Sequence, residues 1–316
     1  MKLCITNKDI NDMLYVKNYN YNKGDVRRYG IYPDTYFSKK EWSHVLALAD
    51  KGLALTFEKG TYLGNFIFKG VDSINIKFND VKLAGEFQII EDSEKPTNNL
   101  NFLGNLSVLD KIFIRKSSDI KFQNLLVASD TINNLHKKKN RGLSIYAGSR
   151  NIKIDTLIIK DTGGSSDVFY QHSAAAFQVH GYNSNPINIE INYLKIRNAA
   201  RSAMYLTGYN HHIKKIEIEN FGYGSNKNMF GLEDAKPNAQ LQFTGAWFNK
   251  CNDCTIDTLI IGSNINKEIY SARFDLGTYS KPCIINNIEF LDYAKKLQIL
   301  DDMLTNVLVK NVLGND

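Results

Sequence analysis

From about residue 60 onward the chain repeats a short alternating run of apolar and polar residues, a turn, and a second alternating run. The first runs are Leu143–Tyr146, Phe177–His180, Met204–Thr207, Leu241–Thr244, Phe274–Leu276 and Leu297–Leu300. The second runs share one spacing, apolar-x-apolar-x-x-apolar-x-apolar. It is read in Ile152, Ile154, Leu157, Ile159, again in Ile189, Ile191, Leu194, Ile196, and in shorter form in Ile256, Leu259, Ile261 and in Ile285, Ile288, Phe290. Weaker copies occur at Ile120, Phe122, Leu125, Val127, at Ile76, Phe78, Val81, Leu83, and at Leu304, Val307, Val309. Alternation over a few residues marks a strand with one buried face, and the extra residue in the middle predicts a bend between two strands.

The copies recur at steps of about 21 to 37 residues, which suits stacked units with a fixed core and insertions in outer loops. Such a unit buries its apolar face only by stacking on its neighbours. The pattern predicts an all-β chain, a right-handed parallel β-helix. A further column, Gly85, Ser129, Asp161, Asn198, Asn220, Ser263, Asp292 and Asn311, falls two residues beyond the last inward apolar position. Small polar side chains there are expected to hydrogen-bond the bending backbone and one another, so Asp161 and Asp292 read as turn residues rather than catalytic ones.

Ahead of the repeats, Ser38 and Glu41 form a capping box, and Trp42, Val45, Leu46 and Ala49 follow at helical spacing up to Gly52. This predicts a short amphipathic helix covering the first repeat. The expected organisation is residues 1–60 as an N-terminal segment with a capping helix and residues 61–316 as the parallel β-helix, together one structural unit.

The 316 residues carry 39 Lys plus Arg against 33 Asp plus Glu, a formal charge of +6, which favours anionic partners without naming one. The basic run His136–Arg141 reads as a solvated loop, and no nucleic-acid-binding module is present. No stretch is apolar and long enough for a membrane span. Residues 1–20, with Lys8, Asp9 and Asp12, do not resemble a secretory signal. The cysteines at 4, 251, 254 and 283 make no disulfide framework, and Cys251 and Cys254 lack a second metal-ligand pair, so Cys254 and Cys283 read as small core residues. The expected location is a cytoplasm or a virion tail, and no cofactor is implied, a bound divalent cation being left open.

The segment Asp25, Val26, Tyr29, Gly30, followed by Gly60, Thr61, Tyr62, with Asp34 standing for part of an Asp-rich turn, resembles the opening of the pectate-lyase-like superfamily of right-handed β-helices. The likeness is greatest to the branch of phage tailspike depolymerases. It implies binding, and usually cleavage, of a polysaccharide, often an acidic capsular or cell-surface glycan. It also implies a homo-oligomer, a trimer being favoured. The catalytic motifs of polygalacturonases and calcium pectate lyases are absent.

Alternation places two files of outward residues on one face. One file is Ile67, Gln88, Phe113, Ser144, Gln178, Tyr205, Gln242, Arg273 and Gln298; the other is Lys69, Ile90, Arg115, Tyr146, His180, Thr207, Thr244 and Asp275. Amides suit sugar hydroxyls, rings suit sugar faces, and Arg suits a carboxylate. Tyr146, Gln178, Gln242 and Arg273 are therefore expected to bind substrate. For β-elimination, His180 and Tyr205 are the expected base and acid, with Arg201 or Arg273 on the carboxylate. For hydrolysis, Asp275 with Glu233 or Asp234 supplies the carboxylate pair. A glycan-binding attachment protein without turnover and a structural assembly solenoid are the alternatives. His211 falls in an inward column and reads as a core or turn histidine.

Overall fold

Burial along the chain follows the alternation, and the strands that result lie in one 20-stranded sheet whose every pairing is parallel. The computed structural model describes residues 13–128, 142–162, 175–181, 184–199, 202–222, 244–262, 271–274, 281–291, 297–299 and 307–314. Strands β1 (Leu55–Phe57) and β2 (Gly60–Leu63) precede two interleaved series. The short series is β3 (Phe66–Lys69), β5 (Phe87–Ile90), β7 (Ile112–Arg115), β9 (Leu143–Tyr146), β11 (Ala175–His180), β13 (Ser202–Tyr209), β15 (Ala246–Asn252), β17 (Ala272–Phe274) and β19 (Leu297–Ile299). The long series is β4 (Asp72–Ala84), β6 (Thr97–Val108), β8 (Ser117–Ala128), β10 (Arg150–Thr162), β12 (Ile187–Ala199), β14 (His212–Phe221), β16 (Thr255–Ile261), β18 (Cys283–Phe290) and β20 (Val307–Gly314). Within each series a strand pairs with the next member, so short strands stack on short and long on long, and one further pair, Ile187 with Tyr209, joins β12 to β13.

The register matches like residues. Ile152, Ile154, Leu157 and Ile159 stand beside Ile189, Ile191, Leu194 and Ile196, and Ile191, Leu194 and Ile196 beside Ile213, Ile216 and Ile218. All of these are fully or almost fully buried, which suits parallel strands that bury a continuous hydrophobic face. Two copies of the repeat go beyond those read in the sequence, Leu100, Phe102, Leu106, Val108 on β6 and Ile213, Ile216, Ile218 on β14. The expected mid-run bend lies inside a single strand rather than between two. Only at the start is it a true break, where β1 pairs with the first half of β4 and β2 with the second. Gly104 marks such a bend on β6. Its φ of 81° is left-handed, and a Cβ there would stand 2.1 Å from the Phe78 carbonyl oxygen, so only glycine fits.

A second periodic feature escaped the sequence reading. Ser73, Asn99, Asp119, Asn151, Asn188, Asn210 and Asp253 each have φ between 54° and 59° and occupy equivalent positions at the start of successive long strands. Left-handed backbone is costly for most L-residues, and Asn and Asp tolerate it best. Their side chains then form a ladder: Asn151 donates to Asp119 at 2.9 Å, Asn188 to Asn151 at 2.9 Å and Asn210 to Asn188 at 2.6 Å. At the opposite end of the strands, Asn220 donates to Asn198 at 3.0 Å, as the predicted turn column requires. Asn311 departs from that column and donates at 2.9 Å to Asn287 at the mid-strand bend. Ser129, Ser263 and Asp292 lie outside the described residues, as does the side chain of Asp161.

Two strand expectations need correction. In the repeat read as Leu241–Thr244 the strand is β15, where Ala246, Trp247 and Phe248 pair with Met204, Tyr205 and Leu206. Thr244 lies outside any strand and is fully buried. Alternation at Leu241 and Phe243 and at Ala246 and Phe248 is equally good. The second frame stacks Phe248 on Phe274, ring centroids 5.6 Å apart, and buries Cys251. Thr207 is buried rather than exposed, its hydroxyl donating to the Val179 carbonyl at 3.2 Å.

The predicted helix is present as α1 (Lys39–Asp50), with both arms of the Ser38–Glu41 capping box formed. Trp42 stacks on Phe66 at 4.7 Å and meets Phe57 and Phe68. Its indole N–H donates at 2.8 Å to the Ile67 carbonyl on β3, whose strand pairing is with β5. The helix thus covers both the first aromatic layer and a carbonyl on the strand edge, which exposed would invite pairing with another chain. Asp25 caps a 3-10 turn, Val26–Tyr29, that ends on left-handed Gly30. Gly60 packs where a Cβ would lie 2.4 Å from Pro33 Cβ. The motif residues Asp25, Gly30 and Gly60 therefore serve this N-terminal closure. No helix among the described residues is long and apolar enough to cross a membrane.

His211 is fully buried, as its column predicts. It accepts from the Ile189 N–H at Nδ1, 3.1 Å, and so carries its proton on Nε2, which donates to the Thr207 carbonyl at 3.0 Å. Burial lowers its pKa from 6.5 to about 4. Cys251, Cys254 and Cys283 are likewise buried and free, and burial raises the Cys251 thiol pKa.

Two stability measurements test this frame. Asn188→Ala loses two ladder hydrogen bonds and forces Ala into left-handed backbone, at a cost of about 2 to 4 kcal/mol. Asn188→Gly keeps the backbone and should cost clearly less in urea unfolding; equal losses would remove the conformational role. For His211, the unfolded chain takes up a proton below 6.5 while the folded chain does so only near 4. Folding is therefore penalised progressively as pH falls through that window, by about 3 kcal/mol at its lower end. The stability advantage of the wild type over His211→Gln should shrink by this order between pH 7 and pH 4. An advantage independent of pH would refute the buried neutral ring.

Candidate functional site

Short strands hold their inward residues, such as Phe177, Val179, Met204 and Leu206, in the core, which turns the alternate residues to the other face of the series. Register then brings five of the expected site residues into one strip. Tyr146 pairs with His180, Gln178 with Tyr205, and Tyr205 with Trp247, which pairs with Arg273. Adjacent parallel strands lie about 4.8 Å apart, so rings in such a file touch. Phe113 meets Tyr146 at 5.1 Å between centroids, Tyr146 meets His180 at 6.0 Å, His180 meets Tyr205 at 5.5 Å and Tyr205 meets Trp247 at 4.7 Å. The last three contacts are edge-to-face, the favoured geometry for aromatic quadrupoles. The Arg273 guanidinium lies 4.1 Å from the centre of the Trp247 ring, a cation–π contact that closes the strip.

Trp247 takes the place expected for Gln242, because β15 begins later than the sequence reading allowed. Arg201, Glu233, Asp234, Gln242 and Asp275 lie outside the described residues. The strip also differs from expectation in exposure. Gln178 and Tyr205 are each 5% exposed, Arg273 8% and Trp247 9%, whereas Tyr146 and His180 are half-buried. Outward with respect to the main core, Tyr205 and Trp247 form with Ala175 a second small apolar cluster.

Chemistry concentrates at His180 and Tyr205. Burial lowers the His180 pKa below its ordinary 6.5, so the ring is neutral at neutral pH and carries a lone pair. Its Nδ1 is buried and has no hydrogen-bond partner among the described residues. The Tyr205 hydroxyl oxygen accepts from Asn249 Nδ2 at 2.8 Å. Neither Asn249 nor Trp247 was picked out in the sequence, although both become outward or edge residues once Phe248 is placed in the core. Among the described residues no group of three or more His, Cys, Asp or Glu side chains is arranged to hold a metal ion.

The long strands present a contrasting outer face. There Lys195 bridges Glu217 at 3.5 Å and Glu219 at 2.6 Å, Lys215 bridges Glu217 at 2.6 Å, and the Tyr193 hydroxyl donates to Glu217 at 2.7 Å. Burial pushes the Tyr193 pKa to about 12, and the Glu217 acceptor adds to the shift. Such a mutually neutralised network is an ordinary solvated sheet surface.

No protein-family model, curated protein or solved structure matches the chain.

The Arg273–Trp247 contact is open to test. Arg273→Met retains most of the side-chain volume and removes the charge, with an expected loss of about 1 to 2 kcal/mol in unfolding free energy and altered Trp emission. Unchanged stability and emission would mean that the stacking contributes nothing.

Proposed function

We propose that this chain is a right-handed parallel β-helix that binds an acidic polysaccharide along its ring-bearing strip and cleaves it by β-elimination. The fold reading is supported by two interleaved series of strands from β3 onward, each strand pairing in parallel with the next member of its own series. A chain that returns to the same parallel series after every crossover winds as a coil, and such crossovers are right-handed in nearly all proteins.

The function reading rests on one observation, a neutral His180 seated between Tyr146 and Tyr205 on a continuous file of rings. Rings of this kind accept the apolar faces of sugars. In the elimination, His180 takes the proton from the carbon beside the sugar carboxylate. That electron pair forms the carbon–carbon double bond, the glycosidic carbon–oxygen bond at the neighbouring carbon breaks, and Tyr205 donates its proton to the leaving oxygen. The positive charge of Arg273, held in a buried environment of low dielectric, favours an anionic sugar at this end of the strip.

Incubation with a panel of acidic and neutral polysaccharides, followed at the absorbance of unsaturated uronates and by reducing-end assay, tests the reading. Acidic substrates should yield unsaturated ends. His180→Ala should lower kcat about 100- to 10,000-fold, and Tyr205→Phe should follow it, with the fold retained. Because protonation removes the base, kcat/KM should fall with acid along a limb centred below 6.5. Near-normal turnover in both variants would refute the assignment. Tight binding with no product would favour an attachment protein that uses the same strip.

A further inference from the structure

The two ends of the strand stack are finished differently. At the start, α1 lies over the first aromatic layer and Trp42 occupies a carbonyl of β3. At the other end β20 pairs with β18 along one edge, and no described strand pairs with its second edge. A strand edge presents a row of N–H and C=O groups ready to pair with another chain. The apolar columns are open there too. Val312 stands in the column of Leu259 and Ile288, which are fully buried, yet is itself 59% exposed, and the outward Leu308 and Leu313 are 47% and 51% exposed.

The order of residues on β20 selects what covers this edge. Val307, Val309, Val312 and Gly314 continue the inward columns of Cys283, Ile285, Ile288 and Phe290, and the bend falls at Lys310 and Asn311. From Val307 to Gly314 the positions therefore run in, out, in, out, out, in, out, in. That order reads the same in both directions. Two such strands laid antiparallel match face to face in one register: Val307 meets Gly314, Leu308 meets Leu313, Val309 meets Val312 and Lys310 meets Asn311, each twice. A slip of one residue sets inward against outward side chains, and in one direction also sets Lys310 against its own copy. Asn311 donates to Asn287 at 2.9 Å, which leaves its Oδ1 as the acceptor for a following rung, and the Lys310 ammonium of a second copy supplies the donor.

We infer that β20 is a self-pairing edge and that two copies of this chain join there as a two-fold dimer, the sheet of long strands running on from one chain into the other. The inference goes beyond the glycan-cleaving reading and does not depend on it. The two-fold axis passes through the bend along the sheet normal, so inward residues stay inward and each open core closes the other. Head-to-tail stacking would instead bring β20 to the end already covered by α1. Such a two-fold contact uses the same surface on both copies, and the assembly stops at two.

Analytical ultracentrifugation of the full-length protein over a concentration series tests this, with circular dichroism to show that each variant is folded. The wild type should show a monomer–dimer equilibrium. A monomer at every concentration up to about 100 µM would leave the edge to another segment or another protein and overturn the inference, as would a trimer. Asn311→Lys sets like charges opposite each other twice and should weaken the dimer at least about tenfold. Adding Lys310→Glu to it places opposite charges in the same two contacts and should restore the dimer. A folded double variant that stays monomeric would refute the register. Leu313→Glu, at an outward position apart from the core and the bend, gives a second readout should Asn311→Lys fail to fold. It should be monomeric, and a dimer as strong as the wild type would place the interface elsewhere.

Discussion

In-register parallel pairing two strands on is the constraint from which the rest of the structure follows. It sets like residue beside like, so that one isoleucine position becomes a column of isoleucines and one asparagine position becomes a ladder of amides. Apolar columns gain by exclusion of water, and amide columns gain because asparagine is both donor and acceptor and can satisfy a copy of itself. The same rule penalises a charge in such a column, since each copy would face its own sign. Asp119 avoids this at the start of the ladder by accepting from Asn151, with Ser118 beside it helping to hold its carboxyl below the usual range.

Stacking also explains how the two outer faces came to differ. On the long strands, opposite charges one step apart neutralise each other through Lys195, Glu217 and Glu219. On the short strands, side chains one step apart are rings, and their edge-to-face contacts are satisfied without water. A neutral histidine fits that second environment because desolvation disfavours its charged form. Its lowered pKa and its packing are thus two consequences of one location. His211 shows the limit of this trend: fully enclosed and hydrogen-bonded at both ring nitrogens, it is held as a structural group.

The aromatic N-terminal layers have a different task. Phe57, Phe66, Phe68, Phe78, Phe87, Phe102 and Phe122 form a run of ring contacts that starts at Trp42 and gives way to isoleucine and leucine farther along. A helix packs poorly on the flat edge of a sheet unless large side chains fill the gap. Trp42 fills it and also occupies a carbonyl on β3. The motif residues Asp25, Gly30 and Gly60 cluster in this closure, away from the ring-bearing strip.

What the sequence alone determined was the period. Alternation fixes which face of a strand is buried, so the inward isoleucines, the outward placement of Tyr146, Gln178, His180, Tyr205 and Arg273, and the capped helix could all be read from it. It did not show that Ala246, Trp247 and Phe248 are the residues paired with Met204, Tyr205 and Leu206, and so Gln242 was expected where Trp247 stands. Only contact with Phe274 and Met204 on the neighbouring strands separates the two frames. Nor could alternation tell an outward residue from an exposed one, since it reports the side of the strand and not what lies over it. The left-handed asparagines were present as letters before each apolar run, but their role comes from amides one strand spacing apart, a distance that exists only after the strands have stacked.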